Sequence, residues 1–377
     1  MIYSYDTSAF DWSVHRNTPI VVDLERVGRH QLLKSLPVGV DAENPPNMAS
    51  SSLGRRLVAC LLNVSEARRK DLVETVAQAA LYNAEGARRE GTTVLNIFND
   101  HDYNRSVITI VASIDSIREV VLAACEKACG LIDMSAHVGV HPCMGAVDLI
   151  PIYPLGEEVP VEECAEEARA VAQGLTERVP GTAAFLFGWA DSPLQRGLAQ
   201  RRKEMGWFKR TTDLQAIQAD LGPEPRTRYG LTGVGASPYV MNCNVTIDTR
   251  DIALGRSIAA AIRESTPGGL PGVQVLALPH EGAVEIACNV ESVKGSPPTH
   301  VTAGEPWPCF SIEGQPYCHA PASLVTARVS ELAGRQGVGT KGTALVGFTP
   351  HECRGLAELA LSQEIPEFWK EQHRIRM

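Results

Sequence analysis

No run of about 18 apolar residues occurs in the 377-residue chain, which excludes a membrane-spanning helix and gives no reason to expect a membrane partner. Positive charge is not in excess either. Lys and Arg number 35 against 44 Asp and Glu, a formal net charge of −9, so a surface for duplex nucleic acid is not expected. No CxxC pair occurs among the ten cysteines, and several lie in apolar runs. Reduced thiols, no disulfide and a cytoplasmic setting are therefore the expectation. Residues Met1–Asn17 hold early acidic residues and no apolar core of the kind a secretory leader needs. What is present is 44% hydrophobic and 21% charged residues, enough for one large core or two modest ones. An acidic protein that handles anionic metabolites has to gather its cations locally, beside Gly and Asn.

Residues 1–50 mix Pro, polar and apolar residues without a period, and Asn44-Pro45-Pro46 reads as a boundary, so this stretch is expected to be a poorly ordered extension. From Leu57 the patterning becomes regular. Strands are expected at 57–62, 94–98, 107–112 and 147–152, with one helix opening at Ser65 and Glu66 and another over 115–129. A helix at 161–178 and a strand at 183–187 follow. The second half repeats the grammar, with strands at 240–247, 273–278, 283–289 and 343–348 and helices at 251–264 and 323–334. Two β-α-β-β-α-β units predict an α+β protein of two ferredoxin-like subdomains, 51–230 and 231–377, facing a shared cleft. The Pro- and Gly-rich stretch 295–321 reads as an inserted surface loop.

The segment Leu131–Gly145 holds His137 and His141. Gly139 and Pro142 break the helix that two zinc-binding histidines at this spacing would need, and no Glu lies between them, so no metal site is expected. A histidine fixed by a following Pro suits a general base; the plainer alternative is that both histidines hold backbone groups of the loop. Cys143 lies two residues after His141, on the opposite side of an extended loop, which disfavours a Cys-His dyad. Asn99–Arg105 reads equally as a polar hairpin turn or as a site in which Arg105 grips a carboxylate and Asp100 offsets a developing cation. Asn63, ending a strand, can present its amide to a ligand. Gly233-Val234-Gly235 precedes a strand instead of following one, so it is not a dinucleotide loop. Arg196, Arg201, Arg202, Lys203, Lys209 and Arg210 read as a solvated helix face, with docking of a polyanionic tail as the alternative.

Taken together, Cys60–Glu66, Asn104–Arg105, Leu131–His137, Gly139–Ala146, Phe185–Gly188, Gly235–Asn244 and Leu345–Gly347 resemble the formiminotransferase family. That family includes the formiminotransferase domain of formiminotransferase-cyclodeaminase and stand-alone relatives of its N-terminal subdomain. The resemblance implies two ferredoxin-like subdomains with a folate between them. It also implies transfer of a formimino group from formiminoglutamate to N5 of tetrahydrofolate, the co-substrate, in a homodimer or larger assembly. The family's His-Pro-Arg-Met-Gly motif falls on His141–Gly145, making His141 the implied base, with Asp100 stabilising the cationic intermediate. Asn63, Asn104, Arg105, His137, Gly145, Asn242 and Asn244 are the implied substrate- and folate-binding residues. The chain departs from the family at Cys143, where the motif has Arg, at Val140, where an acid is common, and at Ala59 and Leu62, which replace Glu and Pro. The loop before Asn104 is shortened, and no counterpart of the cyclodeaminase domain is expected within these residues. Loss of one Arg from a desolvated carboxylate site costs about 2–4 kcal/mol, so a folate-binding protein with little or no catalysis is the alternative reading.

Overall fold

The computed structural model describes residues 56–207, 217–295 and 306–375; the expected extension at 1–50, together with Lys209 and Arg210, lies outside them. Among the described residues the chain forms thirteen strands and eight α-helices. The strands are β1 (Leu57–Val64), β2 (Thr93–Asp100), β3 (Arg105–Ser113), β4 (Val147–Pro154), β5 (Ala184–Gly188), β6 (Thr232–Ala236), β7 (Val240–Ile247), β8 (Val273–His280), β9 (Ala283–Glu291), β10 (Val293–Lys294), β11 (Cys309–Ile312), β12 (Gln315–Cys318) and β13 (Thr340–Leu345). The helices are α1 (Lys70–Leu81), α2 (Ile114–Leu131), α3 (Val161–Arg178), α4 (Leu198–Glu204), α5 (Ile252–Ile262), α6 (Ala322–Gly334), α7 (Pro350–Ser362) and α8 (Phe368–Ile375). The protein is thus mixed α+β.

The larger sheet has six strands in the order β2-β3-β1-β4-β6-β5. Its central strand β1 runs antiparallel to β3 and β4, whereas β6 lies parallel to β4 and β5. A strand buried on both faces must be chiefly apolar, and β1 meets this at every position but Asn63. Val58, Cys60, Leu62 and Val64 pack with helices α1 to α3, while Leu57, Ala59 and Leu61 join a second core with Tyr239, Phe348 and Ala357 of α7. The four-stranded sheet, β13-β7-β9-β8, is antiparallel throughout. Its strand β7 alternates: Met241, Cys243, Val245 and Ile247 enter the core under α5 and α6, and Val240, Asn242 and Asn244 are half-buried on the other face. That alternation follows from the two-residue period of a strand and leaves one polar face free to line a cavity.

Three expectations need correction. Helix α1 begins at Lys70 rather than at Ser65, because both residues are engaged before it. Ser65 Oγ donates to the Gly145 carbonyl at 2.6 Å, and Glu66 Oε1 accepts from the amides of Arg68 and Arg69 at 2.9 and 3.1 Å. The stretch read as an inserted loop carries the hairpin β11-β12, which pairs with β10 just before it in a small sheet. The hairpin places Cys309 directly opposite Cys318, Cα to Cα 4.1 Å, and the two form a disulfide, so the cysteines are not all reduced. The third concerns the basic run: Arg201 and Arg202 are buried, not on a solvated face.

Candidate functional site

The polar faces of the two large sheets enclose a cavity of about 980 Å3. Burial has to be compensated wherever a charged group enters the six-stranded side, and the compensation there is dense. Arg105, 9% exposed at the start of β3, aims Nε and Nη2 at Asn63 Oδ1 (3.1 and 2.8 Å) and Nη1 at Asp148 Oδ2 (3.0 Å). Asn63 is fixed in turn by donating to the Leu61 carbonyl at 2.8 Å. Asp148, 3% exposed, accepts from the Met144 amide at 2.7 Å, and Arg202 of α4 approaches it at 3.7 Å. The Arg202 guanidinium lies over Trp207, 4.4 Å from the ring centroid. Burial, together with the charge of Arg105, lowers its pKa to about 10 against the opposing pull of Asp148, so it stays cationic at neutral pH.

His141 stands beside this group. Its Nδ1 lies 2.9 Å from Arg105 Nη1 and 2.8 Å from the Pro142 carbonyl. A guanidinium can only donate and a carbonyl only accept, so the tautomer decides which contact is a hydrogen bond. With the proton on Nδ1 the ring donates to Pro142, and Nε2 is the nitrogen with a free lone pair. Burial, then the charges of Arg105 and Arg202, hold His141 well below the ordinary histidine pKa, which makes the neutral ring the resting form. Burial pushes the Cys143 thiol up to about 11, which disfavours the nucleophilic thiolate at neutral pH.

The loop that carries His141 is held against the turn after β2. Val140 N donates to the Asp102 carbonyl at 3.2 Å, and Asn104 Nδ2 donates to the Val138 carbonyl at 3.2 Å. A Cβ on Gly139 would lie 2.2 Å from the Tyr103 carbonyl oxygen, so only glycine permits this crossing. Asn104 adopts φ 50°, and its Oδ1 accepts from the Ala67 amide at 3.0 Å.

The predicted residues therefore divide. Asn63, Asp100, Arg105, His141, Asn242 and Asn244 line one cavity. Asn104 pins the backbone behind them. His137 Nδ1 is bonded to the Ser65 carbonyl at 3.1 Å, and burial lowers its pKa. Gly145 packs where a Cβ would meet the Leu231 carbonyl oxygen at 2.7 Å. Residues that the sequence did not single out are Tyr103, Asp148, Trp207, Glu285, Asn289 and Glu291. A signal existed for Asp148, the one acid within the apolar run Ala146–Pro154. The four-stranded wall is chiefly amides: Asn242 Nδ2 donates to Asn289 Oδ1 at 2.6 Å and Asn244 Nδ2 to Glu285 Oε1 at 3.0 Å. Glu291 also lines the cavity, where burial, and secondarily Glu264, raises its pKa to about 7. Among the described residues, no group of three or more His, Cys, Asp or Glu side chains is arranged to hold a metal ion, and no helix is long and apolar enough to cross a membrane.

The cavity of this mixed α+β protein thus brings carboxylates, an imidazole and guanidiniums around a ligand-sized space. Residues 57–237 match the formiminotransferase domain, N-terminal subdomain. The chain is 30% identical over 247 residues to a glutamate formimidoyltransferase of Thermoplasma acidophilum, spanning 64% of this chain and 78% of that protein. It is 32% identical over 258 residues to a formiminotransferase cyclodeaminase-like protein of Arabidopsis thaliana, spanning 63% and 83%. With the Gallus gallus formimidoyltransferase-cyclodeaminase it shares 30% identity over 64% of this chain and 45% of that protein. The chain belongs to the formiminotransferase family.

Proposed function

We propose that the protein is a folate-dependent formimidoyltransferase, moving the formimino group of formiminoglutamate to N5 of tetrahydrofolate, its co-substrate, within the cavity between the sheets. The observation that carries this reading is the convergence of His141, Asp100 and Arg105 on one ligand-sized space in a chain whose relatives include a glutamate formimidoyltransferase. N5 attacks the amidine-like carbon while His141 Nε2 accepts the N5 proton. Collapse of the tetrahedral intermediate breaks the carbon bond to the glutamate nitrogen, and His141 returns the proton to the leaving amine. Asp100 offsets the positive charge of the intermediate.

Arg105 is committed to Asn63 and Asp148, so its part is to hold the site together; substrate carboxylates fall to Arg202, Lys203 and Arg263 of the cavity wall. Arg202 also answers the departure at Cys143, because it brings a second guanidinium to Asp148 where the motif's Arg is missing. That favours the transferase over the inactive binder. In this reading each sheet with its helices is a ferredoxin-like subdomain, supported by the equivalent orders β2-β3-β1-β4 and β8-β9-β7-β13. A cytoplasmic homodimer completes the proposal, and sedimentation velocity tests its assembly. The central test is calorimetric titration of the full chain with tetrahydrofolate, with and without formiminoglutamate, followed by absorbance of the one-carbon product. Binding with product that disappears in His141→Ala is the expected result, and binding without product would overturn the reading.

A further inference from the structure

Two tight hairpins meet at one end of the cavity, one from each large sheet. The first joins β2 to β3 through 101–104. The second joins β8 to β9 through Glu281 and Gly282, both at positive φ (46° and 72°), a two-residue turn that leaves its flanking side chains little freedom. Three contacts cross between them, and a fourth, from His280 to Glu285, lies within the second hairpin. His280 Nε2 lies 2.8 Å from Asp100 Oδ2, and the Glu281 amide donates to Asp102 Oδ2 at 2.8 Å. Tyr103 Oη donates to Glu285 Oε1 at 2.7 Å, and His280 Nδ1 lies 3.8 Å from Glu285 Oε2. The second oxygen of Asp100 accepts from the Tyr103 amide at 2.8 Å, so both oxygens of this cavity-lining carboxylate have partners, one from each sheet. The Tyr103 ring fills the space between the two histidines, with centroids 4.8 Å from His280 and 5.1 Å from His141.

Resting on the formimidoyltransferase reading above, we infer that His280 is a positioning residue: clamped between Asp100 and Glu285, it fixes the Asp100 carboxylate in the cavity and completes the site only when the two sheets are closed on each other. His280 itself touches neither the cavity nor the reacting atoms. Its side chain is 14% exposed and that of Asp100 10%, so the pair is largely shielded from water. The charged groups around it are Asp100 and Asp102 on the first hairpin and Glu281 and Glu285 on its own, and Arg250 Nε donates to the neighbouring Gly282 carbonyl at 3.1 Å. Although burial alone would lower the imidazole pKa, the hydrogen bond to Asp100 and the charge of Glu285 bring it to about 9. The clamp is therefore cationic across the neutral range.

The test is a double-mutant cycle on turnover in the full chain, using His280→Leu, Asp100→Asn and both together, with His280→Gln as the conservative variant. A carboxylate released from its position is expected to lower kcat about 30-fold in His280→Leu while KM for tetrahydrofolate moves less than about threefold. The Gln amide can still donate to Asp100, so His280→Gln should keep at least about a third of kcat. On the Asp100→Asn background His280→Leu should cost less than about twofold more, a non-additivity that a merely structural role would not produce. Additive losses, or a kcat in His280→Leu within about threefold of the parent, overturn the inference. If the parent transfers no formimino group, the functional reading fails by itself, and the clamp is judged by the imidazole titration followed by 15N NMR. A midpoint near 9 that falls by about one unit or more in Asp100→Asn supports it, and an unchanged midpoint overturns it.

Discussion

The two walls of the cavity are built on different terms. The six-stranded wall holds ions in fixed pairs, Arg105 with Asp148, Arg202 against Trp207, and His141 beside both guanidiniums. The four-stranded wall offers neutral amides, Asn242, Asn244 and Asn289, one carboxylate, Glu291, for which burial favours the protonated form, and one guanidinium, Arg263, bonded to the Val275 carbonyl. The difference follows from packing. Strands β1, β3 and β4 are buried along their whole length, so any polar group there must find a partner or cost several kcal/mol. Strands β7 and β9 carry half-buried residues on the cavity side, where amides tolerate a cavity that is alternately wet and filled. One wall is thus preorganised for chemistry and the other is suited to reading a ligand's shape and hydrogen-bond edges.

The sharpest test of this contrast is His141→Ala, expected to lower turnover by about 10²- to 10⁴-fold with the melting temperature within a few degrees of the parent. A single-turnover absorbance assay reads the first and calorimetry the second; retained turnover would remove His141 from the reaction. Next comes Asp148→Asn, which leaves Arg105 and Arg202 with an uncompensated charge and should cost about 3 kcal/mol of stability in urea unfolding. A loss below about 1 kcal/mol would mean that the ions on this wall are not energetically coupled.

On the other wall, Glu291→Gln is expected to stabilise the protein by about 1–3 kcal/mol at pH 8 and by less than about 1 kcal/mol at pH 5. Because the folded pKa of Glu291 is raised from 4.5 to about 7, the native state holds the proton longer than the unfolded chain, and stability drains away as pH climbs between those values. Denaturant midpoints at the two pH values decide it, and a pH-independent difference would contradict the raised pKa. The smallest effect belongs to Asn242→Ala, which removes one neutral hydrogen bond to Asn289 and should raise KM for tetrahydrofolate by about threefold to tenfold, near 1 kcal/mol, with stability little changed. The comparison of the walls breaks if this variant loses as much stability as Asp148→Asn.

Much of the architecture could be read from local pattern. The helix expected at 161–178 and the strand expected at 240–247 have those bounds in the structure, and the other principal elements differ at their ends by a few residues. Strand β6 and helices α4, α7 and α8 are not among the predicted elements, and two further differences have a cause in distant partners. Ser65 and Glu66 look like a helix start, yet Ser65 is drawn to Gly145, 80 residues away. Cys309 and Cys318 look like two of many scattered thiols until a hairpin places them face to face. Residue type and motif singled out His141, Asp100, Asn63, Arg105, Asn242 and Asn244, which line one cavity, and left open that His137 holds a backbone group, but gave no sign that Arg105 is committed to Asp148.

The sequence by itself determined most of the principal strands and helices and the loop that bears His141, because hydrophobic period and turn chemistry act over a few residues. Only the tertiary structure decided which ionisable groups meet. Asp100 and His280 lie 180 positions apart, and Arg105 and His141 lie 36 apart. Their contact depends on strand register and on how two sheets close over a shared cavity, where low dielectric turns separated polar residues into one coupled system.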